Sequence, residues 1–197
     1  MKNDYSISEF ISTLYALILT RMFYRGARLI RRPFYCRGTS LLDFGPGFTT
    51  GHHCRLDLFG AKDDTSKRLT IGKNCKMGDN VHIVAHEAVV IGDNCLMASK
   101  VFISDTSHGR YSGTAGNSSP TVPPDLRSLY TRVVRIGDNV WIGENVCILS
   151  GVTIADGCII GANAVVTHSI PKNCIAWGTP ARATRRFNSD SLEWEAV

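Results

Sequence analysis

Residues 136–148 read Ile136-Gly137-Asp138-Asn139-Val140-Trp141-Ile142-Gly143-Glu144-Asn145-Val146-Cys147-Ile148. An aliphatic residue opens each group of six, glycine follows it, and four positions on stands a small or β-branched residue. The same phase runs through Ile71-Gly72-Lys73-Asn74-Cys75, Met77-Gly78-Asp79-Asn80-Val81 and Ile83. It returns in Ile91-Gly92-Asp93-Asn94-Cys95, Met97-Ala98-Ser99-Lys100-Val101 and Ile103, and continues through Ile154, Ile160 and Val166. Three such hexads make one turn of a β-solenoid, with the aliphatic residue pointing inward from each short strand. The small fifth residue takes the corner, where the interior is too tight for bulk. The Gly-x-Asn turns suit backbone at positive φ, which Gly and Asn tolerate. Each coil then stacks on the last at strand spacing. Cys75, Cys95 and Cys158 fall on the small inward position and read as core filler.

Outside the repeats the register loosens. Phe44-Gly45-Pro46-Gly47-Phe48 and Thr50-Gly51-His52-His53-Cys54 look like an irregular first coil, and Gly60 to Thr70 like a surface loop. Apolar positions at helical spacing (Ile7, Phe10, Ile11, Leu14, Leu17, Ile18) predict a helical arm over residues 5–32. The arm either caps the open end of the solenoid or lies on a membrane surface. The predicted organisation is an arm over 1–33, a solenoid domain over 34–187 and a tail over 188–197. One interruption stands out. The coil opened by Ile91 is complete at His108, yet the next hexad begins only at Ile136, so residues 109–135 form an extruded loop rich in Gly, Ser, Thr and Pro. Long loops inside compact domains are usually functional, and this one is rooted on a histidine.

Composition narrows the function. A chain of 197 residues suits one domain with a buried core, and 44% apolar with 20% charged residues excludes disorder. The net charge of +5 is unevenly placed: Arg21, Arg25, Arg28, Arg31, Arg32 and Arg37 occur with no acid among them. Such a segment either faces anionic lipid headgroups, a phosphorylated substrate or nucleic acid, or is a solvated basic face. No nucleic-acid-binding motif accompanies it, so nucleic acid is not an expected partner. No run reaches the roughly 18 apolar residues of a membrane span. Phe10 to Leu19 has the length of a signal-peptide core, but Asp4 and Glu9 precede it and Thr20-Arg21-Met22-Phe23 offers no cleavage site. Seven scattered cysteines without a C-x-x-C pair argue against a disulfide framework or a zinc knuckle and for a reducing cytoplasm.

The repeats, together with Ser104-Asp105-Thr106-Ser107-His108-Gly109 at the loop root, Asn139-Val140-Trp141-Ile142-Gly143, and Trp177-Gly178-Thr179-Pro180-Ala181-Arg182, resemble the left-handed parallel β-helix acyltransferases, the hexapeptide-repeat superfamily. The histidine-bearing loop and the terminal Gly-x-Pro-Ala-Arg point to its sugar and xenobiotic O-acetyltransferases. The entry segment, Arg32-Pro33-Phe34-Tyr35 to Phe44-Gly45, is most similar to acetyltransferases of O-antigen and exopolysaccharide synthesis. The resemblance implies a left-handed winding, a homotrimer with inter-subunit active sites, acetyl-CoA as co-substrate and a sugar or glycan acceptor. It also implies a cytoplasmic enzyme without a metal, and the basic arm would allow contact with the inner face of the membrane.

For the chemistry, a neutral imidazole is suited to take the proton of an alcohol that attacks a thioester. His108 matches the family's catalytic histidine by position. Asp105 either orients an imidazole, accepts from the sugar, or caps the loop. His82, His86 and Glu87 on the preceding coil are candidates for the acceptor pocket. The resemblance places the cofactor along Trp141, Gly143, Ala162, Thr167 and His168, with Pro180 and Ala181 near the adenine and Arg182 and Arg185 against phosphates. Two other readings remain. One keeps the enzyme class with a small-molecule, xenobiotic or nucleotide-sugar amine acceptor. The other is a different class: a zinc carbonic anhydrase-like β-helix using His82, His86 and His108, or a non-catalytic solenoid.

Overall fold

In the computed structural model, which describes residues 6–61, 64–111, 113 and 116–197, short parallel strands wind into a three-faced prism. The first face stacks Leu29–Ile30, Thr49–Thr50, Lys76–Met77, Leu96–Met97, Trp141–Ile142, Ile159–Ile160 and Cys174–Gly178. The second stacks Phe34–Arg37, Cys54–Leu58, His82–Ala85, Phe102–Ser104, Cys147–Ile148 and Val165–Val166. The third stacks Leu42–Phe44, Leu69–Ile71, Val89–Ile91, Val134–Ile136 and Thr153–Ile154, with Ile170 bridged to Ile154. The chain visits the faces in rotation, so each hexad residue registers with its equivalent one coil away: Met77 with Met97, Met97 with Ile142, Ile142 with Ile160.

The period of six becomes a core made of columns. Ile71, Ile91, Ile136 and Ile154 fill the third face from within, and Ile83, Ile103, Ile148 and Val166 the second, all buried. Each such side chain is worth about 1.5–3 kcal/mol on full burial. Cys75, Cys95, Val140 and Cys158 form the buried corner column, as the repeat predicts. The thiols also donate to carbonyls of the adjoining coil: Cys75 to Gly92 at 3.0 Å, Cys95 to Gly137 at 3.1 Å and Cys158 to Pro171 at 3.0 Å.

The turns divide the labour between Asn and Gly. Asn74, Asn80, Asn94, Asn139, Asn145, Asn163 and Asn173 hold the positive φ, between 56° and 61°. Lys100 and His53 take the same conformation, at 59° and 57°. The glycine after the aliphatic residue serves close approach instead. A Cβ on Gly92 would lie 2.7 Å from the Gly137 carbonyl carbon and within clash distance of the Asp138 carboxylate. That carboxylate is needed where it is, because Asp138 Oδ1 accepts from Asp93 N at 2.7 Å, as Asp93 Oδ1 does from Lys73 N at 2.8 Å.

Three boundaries differ from the sequence expectation. The helical arm is shorter than 5–32: α1 spans Ile7–Phe23, opened by a capping box in which Ser6 and Glu9 bond each other's backbone. The chain then turns through Gly26, at φ 98°, and Leu29–Ile30 already pairs with Thr49–Thr50, so the solenoid starts inside the segment read as helix. Residues 188–197 are not a loose tail, since Glu193–Ala196 pairs antiparallel with Ala181–Asn188 and Trp194 packs edge-on against Phe187. At the interruption, Thr106–His108 pairs antiparallel with Leu129–Thr131, and Val134 rejoins the third face beside Val89.

Clearance and backbone conformation at the corner can be separated by substitution. We expect Gly92→Ala to destabilise the fold by about 1–3 kcal/mol through overpacking, whereas Asn94→Gly should stay within about 1 kcal/mol because glycine reaches the same φ. Unfolding monitored by circular dichroism reads both; equal losses would mean that backbone conformation, not clearance, governs the corner.

Candidate active site

The edge between the second and third faces gathers three of the candidate residues. His86 follows the strand His82–Ala85, Asp105 follows Phe102–Ser104 one coil on, and His108 ends the strand paired with Leu129–Thr131. Asp105 is fully buried and its carboxylate is saturated by local donors. It accepts from His86 N at 3.0 Å, from Glu87 N at 2.7 Å and from the Thr106 hydroxyl at 2.6 Å. Among the described residues it makes no bond to His108, so its position is that of a cap joining two coils.

Thr106 links that carboxylate to an imidazole. Its hydroxyl has one proton, which Asp105 takes, so the 2.8 Å contact between Thr106 Oγ1 and His86 Nδ1 requires Nδ1–H to donate. His86 is thereby held as the Nδ1–H tautomer, leaving Nε2 as a bare lone pair. Its ring stacks on Phe59 at 4.3 Å and 11°. Burial holds His86 below the ordinary histidine value; Asp105 pulls it up, and His108 and Arg68 push it down. The balance favours the neutral ring.

His108 itself is exposed. Its carbonyl accepts from the Tyr111 hydroxyl at 2.6 Å, and Arg127 donates to that hydroxyl at 2.5 Å, so the loop is laced back to its root. Gly109 follows at φ 110°, where a Cβ would meet Tyr111 Oη at 2.6 Å and Ser118 Oγ at 2.7 Å.

The other candidates divide. His82 stands on the second face, where its Nε2 donates to Asp57 at 3.0 Å and Phe102 tilts against its ring. Burial raises Asp57, but Arg55 and His82 outweigh it and hold the carboxyl below its usual range. Glu87 is exposed, with its carbonyl taken by Arg68 at 3.2 Å. The structure thus brings His86, Asp105 and Glu87 together, with His108 near enough to oppose charging of His86, and binds His82 elsewhere. Thr106, Phe59 and Asp57 are not distinguished by the repeat. Thr106 lies within the quoted loop root, but its bridging role depends on the coil beneath it.

The cofactor candidates fall on two edges of the prism. Trp141 is exposed on the first face between Leu96 and Ile159. Gly143 and Ala162 follow it at the edge between the first and second faces, where a Cβ on Gly143 would meet Ala162 N at 2.7 Å. Thr167 and His168 lie at the other edge, bonded to each other at 2.7 Å. His168, Ala181 and Arg182 line one cleft of about 310 Å³. Pro180 is exposed, and Arg185 donates to the Trp194 carbonyl at 3.3 Å. Five of the seven cysteines, Cys54, Cys75, Cys95, Cys158 and Cys174, are buried, burial pushes Cys36 and Cys54 up to about 11, and Cys147 is half-buried beside Phe102 on the second face.

This prism of hexads with a histidine at an interrupted edge defines a class, and the chain belongs to the hexapeptide-repeat acyltransferase family. Residues 134–168 match the bacterial transferase hexapeptide model and 68–104 the hexapeptide repeat of succinyl-transferase. Among particular relatives, it is 42% identical over 191 residues to the putative lipopolysaccharide biosynthesis O-acetyl transferase WbbJ of Escherichia coli, covering 97% of this chain and 95% of that one. It is 40% identical to the galactoside O-acetyltransferase of the same organism, over 61% of this chain and 55% of that one. Among solved structures, a galactoside acetyltransferase in complex with coenzyme A superposes with a TM-score of 0.55 at 33% identity, over 73% of this chain and 68% of that one. The N-acyltransferase AntD of Bacillus cereus shares the fold, with a TM-score of 0.70 at 20% identity over 89% and 90% of the two chains.

Side-chain ¹⁵N spectra test the bridge. We expect His86 as the Nδ1–H tautomer, with a protonation midpoint below the ordinary histidine value, and Thr106→Val to release it toward the Nε2–H form. An unchanged tautomer in the variant would show that Thr106 does not set it.

Proposed function

We propose that the protein transfers acetyl from acetyl-CoA to a sugar hydroxyl during synthesis of a bacterial surface polysaccharide. It does so in the cytoplasm, as a homotrimer of left-handed β-helices with the loop at 109–135 completing the site. The observation that carries this reading is the near full-length likeness to a putative lipopolysaccharide biosynthesis O-acetyl transferase, and the exposure of His108 at the loop root supports it.

His108 takes the proton of the acceptor hydroxyl as its oxygen adds to the acetyl carbonyl. The carbon–sulfur bond then breaks, and the proton passes to the departing thiolate. His86 offers Nε2 as an acceptor to the same sugar, and Asp105 acts through Thr106 as its positioning residue. Glu87 borders that pocket, whereas His82, held by Asp57, stands apart from it on the second face.

The division of cofactor residues between two edges supports a site shared by neighbouring prisms. Trp141, Gly143 and Ala162 of one edge would wall the pantetheine arm against the edge of the next subunit that carries His108, Thr167 and His168. Pro180 and Ala181 would flank the adenine, and Arg182 and Arg185 would offer guanidinium groups to phosphates, a pairing that favours bidentate contact.

Thiol release from acetyl-CoA over a panel of sugars and lipid-linked oligosaccharides tests the reading. Acceptor-dependent release should fall about 10²–10⁴-fold in His108→Ala, the usual worth of a positioned base. Full activity in the variant would move the base to His86, and no turnover by the wild type with any acceptor would overturn the assignment.

Alkylation gives a second check. Iodoacetamide on the native protein should leave Cys54, Cys75, Cys95, Cys158 and Cys174 unmodified in a mass spectrum, without loss of activity. Inactivation at one of these positions would argue for an acyl-cysteine step.

A further inference from the structure

The helix α1 is turned inside out with respect to the solenoid. Its contact with the prism runs through Ala16 and Thr20, both buried, and the Thr20 hydroxyl accepts from Ile30 N at 2.8 Å while donating to the Ala16 carbonyl at 2.7 Å. At 3.6 residues per turn, Ile7, Ile11, Leu14 and Ile18 lie roughly half a turn round from that contact line. They are 81%, 61%, 47% and 51% exposed, and Phe10 and Met22 beside them are 62% and 61% exposed. An amphipathic helix ordinarily buries this face in its own core. Capping of the solenoid uses the side of Ala16 and Thr20, flanked by half-buried Leu17 and Leu19, and leaves the opposite apolar side without a partner in the chain.

Charge identifies the occupant. The single acid of the helix, Glu9, is engaged with Ser6 in the capping box. Arg21 on the helix and Arg25 and Arg28 in the turn after it are exposed, with no carboxylate in ion-pair reach among the described residues. A second copy docked symmetrically on this face would bring like guanidinium groups together. An anionic bilayer meets both features at once, apolar side chains in the interface and arginines at the headgroups. A cleft of about 590 Å³ between α1 and the first coil adds to the same surface. Tyr15, Phe23 and Arg32 are among its lining, and Arg32 Nε is buried without a hydrogen-bond partner. No helix among the described residues is long and apolar enough to cross a membrane, so the contact is peripheral.

We infer that α1 and the arginines that follow it form a docking surface for an anionic lipid bilayer, the helix lying in the plane of the interface. The inference stands on the geometry of the arm and does not depend on the acyl-transfer reading.

Co-sedimentation of the full-length protein with vesicles tests it without any acyl donor, so a failure of acetyl transfer has no bearing on the result. The protein should bind phosphatidylglycerol–phosphatidylcholine vesicles, bind phosphatidylcholine alone far less, and lose affinity as salt rises. Replacing Arg21, Arg25 and Arg28 by Gln should weaken binding about 100-fold, about fivefold for each charge. Replacing Ile11, Leu14 and Ile18 by Ser should abolish binding at unchanged oligomeric mass and helix content. Absence of vesicle binding by the wild type, or binding that neither set of substitutions alters, would overturn the inference. So would a drop in oligomeric mass in the serine variant, which would make this face a contact between copies.

Discussion

The whole molecule depends on how closely two backbones approach at each corner of the prism. At the glycine corners stacked coils leave no room for a Cβ beneath the next turn, as the clearance at Gly92 shows, while Ala98 and Ala155 take the same position at other corners. The same turn requires a left-handed residue two positions later, which Asn94 supplies. Once those two demands are met, strand pairing follows at fixed register and the aliphatic columns fill themselves. The Asp and Asn side chains then stitch one coil to the next, Asn74 to Asn94 at 3.2 Å and Asn94 to Asn139 at 3.3 Å.

A core satisfied in this way leaves the edges free to carry chemistry. Where the chain departs after Asp105, the coil below is held by a carboxylate whose acceptor capacity is taken up by His86, Glu87 and Thr106. A buried carboxylate is costly unless well bonded, and here its bonding orients an imidazole at the surface. The buried acid at this edge thus does two things at once: it joins two coils and, through Thr106, fixes a tautomer of His86.

Much of this was legible in the residues. The period of six located the faces, the inward columns and the position where the chain leaves the prism, because each depends on spacing alone. The place of His108 at the root of the interruption was legible for the same reason. The first coil was not, since Leu29–Ile30 and Phe34–Arg37 lack the Ile-Gly opening and their strand character comes from pairing with Thr49–Thr50 and Cys54–Leu58. The helical spacing from Ile7 to Ile18 was correct as a period, but periodicity does not say which face of a helix meets the protein. Phe59 and Thr106 were invisible as site residues because their roles arise from a coil some 20 residues away in sequence. The hairpin at the C-terminus follows no repeat and depends on a local pairing of Phe187 with Trp194.

Stacking at a constant interval also turns the solenoid into a graduated scale. Leu29–Ile30 begins the coil beside α1, and the coil that ends at His108 is three steps further along. At strand spacing those steps amount to about 14 Å. Side-chain changes on the faces leave that interval untouched, because the backbone ladder sets it. Only the gain or loss of a whole coil alters it, in increments of about 5 Å. The height of the interrupted edge above the end of the prism is therefore a discrete quantity, inherited in units of one repeat.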